Sequence, residues 1–126
     1  MKKISWLVPA LVLLASCVTF QKTYVPPSFY LEEPPSLELA KLSLNERLAF
    51  EQGWADLKKG NIEGARKEFL KLGRNHPYFN LGEGYCRLYE QDIEAAEAFF
   101  LKAIELNPDL TPARIGLASI YEEKKD

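Results

Sequence analysis

The chain has 126 residues, room for one small domain and too few for two ordinary ones. Its 47% hydrophobic and 27% charged residues exclude a chain disordered throughout, and a net charge of −2 argues against nucleic-acid binding, which at this size calls for a basic chain. One histidine and two cysteines exclude most His/Cys metal sites and any disulfide-dense scaffold, so catalysis would have to come from carboxylates, hydroxyls, Cys86 or His76. Lys2 and Lys3 open the chain, followed by 13 uncharged residues, 4–16, with Leu11-Val12-Leu13-Leu14 at their centre. That run is shorter than the roughly 20 residues needed to cross a bilayer core, and Pro9 interrupts it. A charged start, a short apolar run and small residues after it describe a secretory signal.

The end of that segment is more specific. Leu14-Ala15-Ser16-Cys17 resembles the lipobox of bacterial lipoproteins. The resemblance implies a signal peptide over 1–16, cleavage before Cys17, and diacylglycerol with a further acyl chain on Cys17. An ordinary signal peptide with a chance cysteine is the alternative. Two or more acyl chains anchor stably, at about 0.8 kcal/mol per buried CH₂. Without Lys2 and Lys3 the chain keeps 14 basic and 18 acidic side chains, so an anionic leaflet would repel it and the lipid must hold it. Val18 stands where an Asp would favour the inner membrane. The expected location is therefore the cell envelope, facing the periplasm, with the outer membrane favoured over the inner.

Residues 17–43 follow as a lipidated cysteine and a Pro-rich tether with a short helical turn near its end. Pro26-Pro27 and Pro34-Pro35 impose extended backbone, at about 3.1 Å per residue. Tyr24, Phe29, Tyr30 and Leu31 are costly to leave in water, so the same stretch is equally suited to packing on the folded domain. From Ser43 the chain is predicted helical, because Ser43 and Glu46 form a capping box. Gly60-Asn61 ends that helix; the next run is predicted over Ile62 to about Gly73, then Phe79–Glu90, Ile93–Leu106 and Pro112–Lys124. No convincing strand is present.

Residues 61–71 recur 31 positions later as 92–102, with six of eleven identical, and Gly53, Leu57 and Pro77 recur as Gly84, Leu88 and Pro108. Ala118 lies 34 residues beyond Gly84. This self-similarity resembles the tetratricopeptide repeat, in which each unit is an antiparallel pair of helices, A and B. The resemblance implies an all-α, short α-solenoid of about two and a half repeats over 44–124, divided near 44–76, 77–110 and 111–124. It implies that Gly53, Gly84 and Ala118 on A helices meet Ala65 and Ala96 on B helices at close crossings. Phe69 and Phe100 would fill the gaps between units, and Pro77 and Pro108 would end the B helices. Gln52, Asp56, Glu83, Arg87 and Leu72 depart from the family's choices, as does the first repeat's length of 31. A generic bundle of four or five helices is the plainer alternative.

Little chemistry is on offer. Cys86 fits a small buried hydrophobe, His76 before Pro77 fits a helix-end residue, and Glu94, Glu97 and Glu105 fit a solvated face. No enzyme, cofactor or metal is expected. Helical spacing puts Phe50, Trp54 and Leu57 on one stripe of the A helices, Leu81, Tyr85, Leu88 and Tyr89 on the next, and Ile115 beyond. In the family this inner face holds a peptide or a partner's helix, and Trp and Tyr suit such contacts. Lys58 is the cation nearest the stripe, with Arg47 at its end, so an apolar or aromatic peptide is expected rather than a carboxylate. The same aromatics would equally serve to receive the Pro-rich segment. The expected role is a lipid-anchored periplasmic adaptor holding a protein partner in an envelope assembly. The alternative is a self-associating structural subunit, a homodimer, because two and a half repeats fall below the three usually needed to close a core.

Overall fold

The computed structural model describes residues 34–125, where every regular element is a helix. The expected lipidation at Cys17, the expected signal peptide over 1–16 and the expected tether as far as residue 33 lie outside the described residues. The helices are α1 (Ser36–Leu39), α2 (Leu44–Lys58), α3 (Ile62–Leu70), α4 (Pro77–Tyr89), α5 (Ile93–Leu106) and α6 (Thr111–Lys125). None is long and apolar enough to cross a membrane. The expected all-α, solenoid-like order is present: α2 pairs with α3, α4 with α5, and α6 closes the described array. The A helices α2, α4 and α6 also touch one another in sequence, which lines them up on one side.

Local chemistry sets the helix ends. Ser43 Oγ accepts the Glu46 N–H at 3.3 Å, and the Glu46 carboxylate accepts the Ser43 N–H at 3.0 Å, so the predicted capping box is complete. Asn61 and Asp92, 31 residues apart, cap α3 and α5 in the same way by accepting from Gly64 and Ala95. Between A and B helices the chain turns through positive φ, at Gly60 (81°) in one pair and at Gln91 (63°) in the other. Gly60 takes that backbone without steric cost, and Gln91 does not. His76 is the N-cap of α4, its Nδ1 accepting the Tyr78 N–H at 3.1 Å.

Two expected boundaries move. The second predicted helix stops at Leu70 instead of Gly73, because Lys71, Leu72 and Gly73 donate to carbonyls only three residues back and tighten into a turn that Gly73 completes at φ 90°. The first repeat is short because α3 itself is short, with 9 residues against 14 in α5, and the turn that follows it does not make up the difference. Pro77 consequently does not end a B helix as expected. It is the first residue of α4, where a missing N–H costs nothing, whereas Pro108 lies in the turn between α5 and α6.

Packing between pairs is centred on two fully buried phenylalanines. A Cβ added at Gly53 would lie 2.6 Å from the Phe69 ring, and one at Gly82 would lie 2.5 Å from it. Phe100 is held likewise, with Gly84 and Gly116 each leaving room for a Cβ only 2.6 Å away. Each B-helix ring is thus seated between its own A helix and the next one. Ala65 and Ala96 are fully buried, but what stands nearest Gly53 and Gly84 is the Phe69 and Phe100 ring and not the alanines expected there. Ala118 is exposed, which corrects the expectation that it meets a B helix. The notch on α6 is Gly116, facing the preceding Phe100, and among the described residues no B helix follows α6 to cover Ala118. Arg114, Ala118, Glu122 and Lys125 are all exposed on α6 and give it a mostly polar outer face.

Candidate protein-binding surface

Neither residue with catalytic potential stands in a catalytic setting. Cys86 is fully buried in α4, and burial first, with the Glu83 carboxylate second, pushes its thiol up to about 12, so it stays protonated at neutral pH. His76 is committed to capping α4, and burial lowers its pKa while Glu46, 3.7 Å away, pulls the other way. Among the described residues no three His, Cys, Asp or Glu side chains converge as metal ligands. Glu97 is tied to Lys124 and Tyr121, and Glu105 to Lys102 at 3.8 Å, so these carboxylates sit in surface ion pairs instead of a shared pocket.

The residues that replace the expected apolar positions form an ionic network. Glu83, 3% exposed, accepts from Arg66 Nε at 2.9 Å and from Arg87 Nε at 3.1 Å. Arg66 also pairs with Glu90 and holds its carboxyl below the usual carboxylate range, while its own guanidinium pKa is raised. In the first pair the corresponding residues, Gln52 and Asp56, hydrogen-bond each other at 3.2 Å. Glu83 is buried because α3 brings Arg66 over it, and α2 has no B helix before it among the described residues.

The stripe expected as an open binding face is mostly interior. Phe50, Trp54, Leu57, Leu81, Tyr85 and Leu88 are each no more than 4% exposed, and only Tyr89 and Ile115 are half-buried. The physical reason is that successive A helices sit close enough for these rings to pack on one another. Phe50 stacks on Trp54 with centroids 5.4 Å apart and meets Tyr78 at 5.0 Å. Trp54 meets Tyr85 at 5.4 Å, and Tyr85 meets Phe100 at 4.9 Å. Tyr85 is fixed further by donating its hydroxyl to the Pro112 carbonyl at 3.0 Å, which ties α4 to α6. For these six residues the intramolecular role is the one the geometry displays.

A hollow lies beside the first A helix. It has a volume of about 230 Å³ and is lined by Pro34, Leu39, Phe50, Glu51, Trp54 and Lys58. Leu39, the last residue of α1, and Leu42, just after it, pack on the core. Trp54, on the wall of the hollow, has a buried indole Nε1 without a hydrogen-bond partner, and elsewhere among the described residues the same holds for the Tyr78 hydroxyl and Arg47 Nε. Each such atom costs about 1–3 kcal/mol when left unsatisfied. Burial first and the Glu38 carboxylate second push the Tyr78 phenol up to about 12, which brings α1 within electrostatic reach of α4. Tyr78 and the notches Gly82 and Gly116 escape notice in the sequence, although the 34-residue spacing of the two glycines was a signal for the latter. Leu70 and Leu101, equivalent positions of α3 and α5, are 47% and 46% exposed and give the B-helix side a repeated apolar point.

No curated protein and no solved structure matches the chain. Residues 77–110 match the tetratricopeptide repeat family. The matched span is α4, α5 and the turn after them, the pair that carries both glycine notches around its own and its neighbour's phenylalanine. Residues 77–110 are therefore a tetratricopeptide repeat, a helix pair whose general use is contact between proteins.

Proposed function

We propose that the protein is a lipid-anchored adaptor of the cell envelope that holds a protein partner on its A-helix side. The observation that carries the adaptor role is the tetratricopeptide repeat at 77–110, flanked by α2 and α6 in the same A-helix row. The anchor is supported by sequence alone, by Lys2-Lys3, the uncharged run and Leu14-Ala15-Ser16-Cys17. Binding on this side falls to what is left accessible: half-buried Tyr89 and Ile115, and the hollow at Trp54. The partner in this reading is a peptide or protein segment with apolar or aromatic side chains, and the compartment is the periplasmic side of the outer membrane. Crosslinking in the membrane fraction followed by pull-down tests it. A specific envelope protein lost on Tyr89→Ala supports the adaptor, and a chain that recovers only itself overturns it.

A second reading, self-association without a peptide ligand, draws on Leu44 and Leu48 of α2. They are 61% and 53% exposed in the first turns of that helix. Apolar side chains at a repeat edge are what a second copy would cover. Molecular mass measured in solution decides between a monomer and a dimer.

A further inference from the structure

We propose that the Trp54 hollow is a docking site for an extended, proline-containing segment, and that its occupant is the stretch of this same chain just before Pro34. That stretch reads Tyr24-Val25-Pro26-Pro27-Ser28-Phe29-Tyr30-Leu31. The inference does not depend on the lipid anchor or on the identity of any partner.

Pro34 is both the first described residue and part of the wall of the hollow, so the described chain begins at the hollow. A polyproline-type segment advances about 3.1 Å per residue, so positions 26–31 are within about 10–25 Å of that point. The hollow is also lined by the stacked pair Phe50 and Trp54. Aromatic walls of this kind accept proline rings, which are flat-sided, apolar and already ordered. The Trp54 indole N–H is buried without an acceptor, and the Tyr78 hydroxyl has no partner either. An extended proline-rich backbone offers carbonyls that nothing within the segment uses. The donor on α2 and the acceptors of the segment are therefore complementary. The segment is also joined covalently to the site. Its effective concentration is of millimolar order, so a separate partner of similar chemistry would have to displace it.

The test uses the full chain in detergent with the photo-crosslinking residue benzoyl-phenylalanine in place of Phe29. Irradiation is expected to join position 29 to residues 50–58 of the same chain, as read by mass spectrometry. Adducts to a second copy, to another protein, or only elsewhere on the chain would overturn the proposal. In a second arm a labelled peptide of sequence 24–31 is added to the chain carrying Pro26→Ser, Pro27→Ser, Phe29→Ser and Tyr30→Ser. It is expected to bind that chain about tenfold or more tighter than the unsubstituted one, whose site is already filled. Trp54→Phe, which removes the N–H and keeps an aromatic ring, is expected to weaken the peptide about fivefold with helical circular dichroism retained. Equal binding to the substituted and unsubstituted chains would overturn the proposal.

Discussion

Phe100 is held between Gly84 and Gly116, so neither side of its ring has room to give way. Gly84→Ala is therefore expected to cost about 1–3 kcal/mol by overpacking. Ala118→Leu, on an exposed face, should stay within about 0.5 kcal/mol. Urea unfolding of the two variants checks which of these small residues is the notch. Gln91 holds at φ 63° the turn that Gly60 holds at 81°. Gln91→Gly should raise stability by up to about 1 kcal/mol, and Gly60→Ala should lower it by a similar amount. His76 adds a pH dependence. Its folded-state pKa lies below its ordinary 6.5, so the unfolded chain takes up the proton first as pH falls. The stability from this group is whole above pH 6.5 and declines below it, as Nδ1 ceases to accept the Tyr78 N–H. His76→Asn keeps a capping acceptor that does not titrate, so its stability curve should be flatter below pH 6.5, by a fraction of the roughly 0.5–2 kcal/mol of a cap.

At the scale of elements, α3 is the short member of the array, with 9 residues against 14 in α5. It nevertheless supplies Phe69 to the first gap and Arg66 to the buried carboxylate of α4. Arg66→Ala leaves Glu83 with Arg87 alone and is expected to cost about 1–3 kcal/mol, since a buried charge loses a hydrogen-bonded partner. Glu83→Met removes the buried charge itself, while Arg66 keeps Glu90 and Arg87 keeps Asp92 at 3.8 Å. It should cost less than Arg66→Ala, as thermal melts of the two single variants would show.

For the whole molecule, the question is which A-helix residues serve a partner and which serve the fold. Tyr85 bridges Trp54, Phe100 and the Pro112 carbonyl. Tyr85→Phe leaves that carbonyl without its donor and should lower stability by about 1 kcal/mol while partner capture persists. Tyr89→Ala, at a half-buried position, should do the reverse and weaken capture by more than about 1 kcal/mol with a smaller effect on melting. Melting curves measured beside the pull-down separate the two. Loss of stability without loss of the partner in both variants would leave the A-helix row as core alone.

The sequence by itself determined the features that depend on near neighbours. Ser43 with Glu46, Asn61, Asp92 and Gly60 specify helix ends because their partners lie within a few residues, and the 31-residue recurrence specifies paired helices. The recurrence singled out Ala65, Ala96, Gly53 and Gly84, and the resemblance to the tetratricopeptide repeat implied their close packing. Tertiary structure decided whatever depends on which helix comes next. A stripe of Phe50, Trp54, Leu81 and Tyr85 has the same helical period whether it faces a ligand or a neighbour, and only the spacing of α2, α4 and α6 made it interior. Ala118 keeps the spacing of Gly84 but among the described residues has no following B helix against it, whereas Gly116, the counterpart of Gly82, faces the preceding Phe100. Glu83 looks like a surface residue in the chain, and it is buried because Arg66, 17 residues away, folds over it. Burial is a property of distances between elements, and those distances are set by packing that no local pattern encodes.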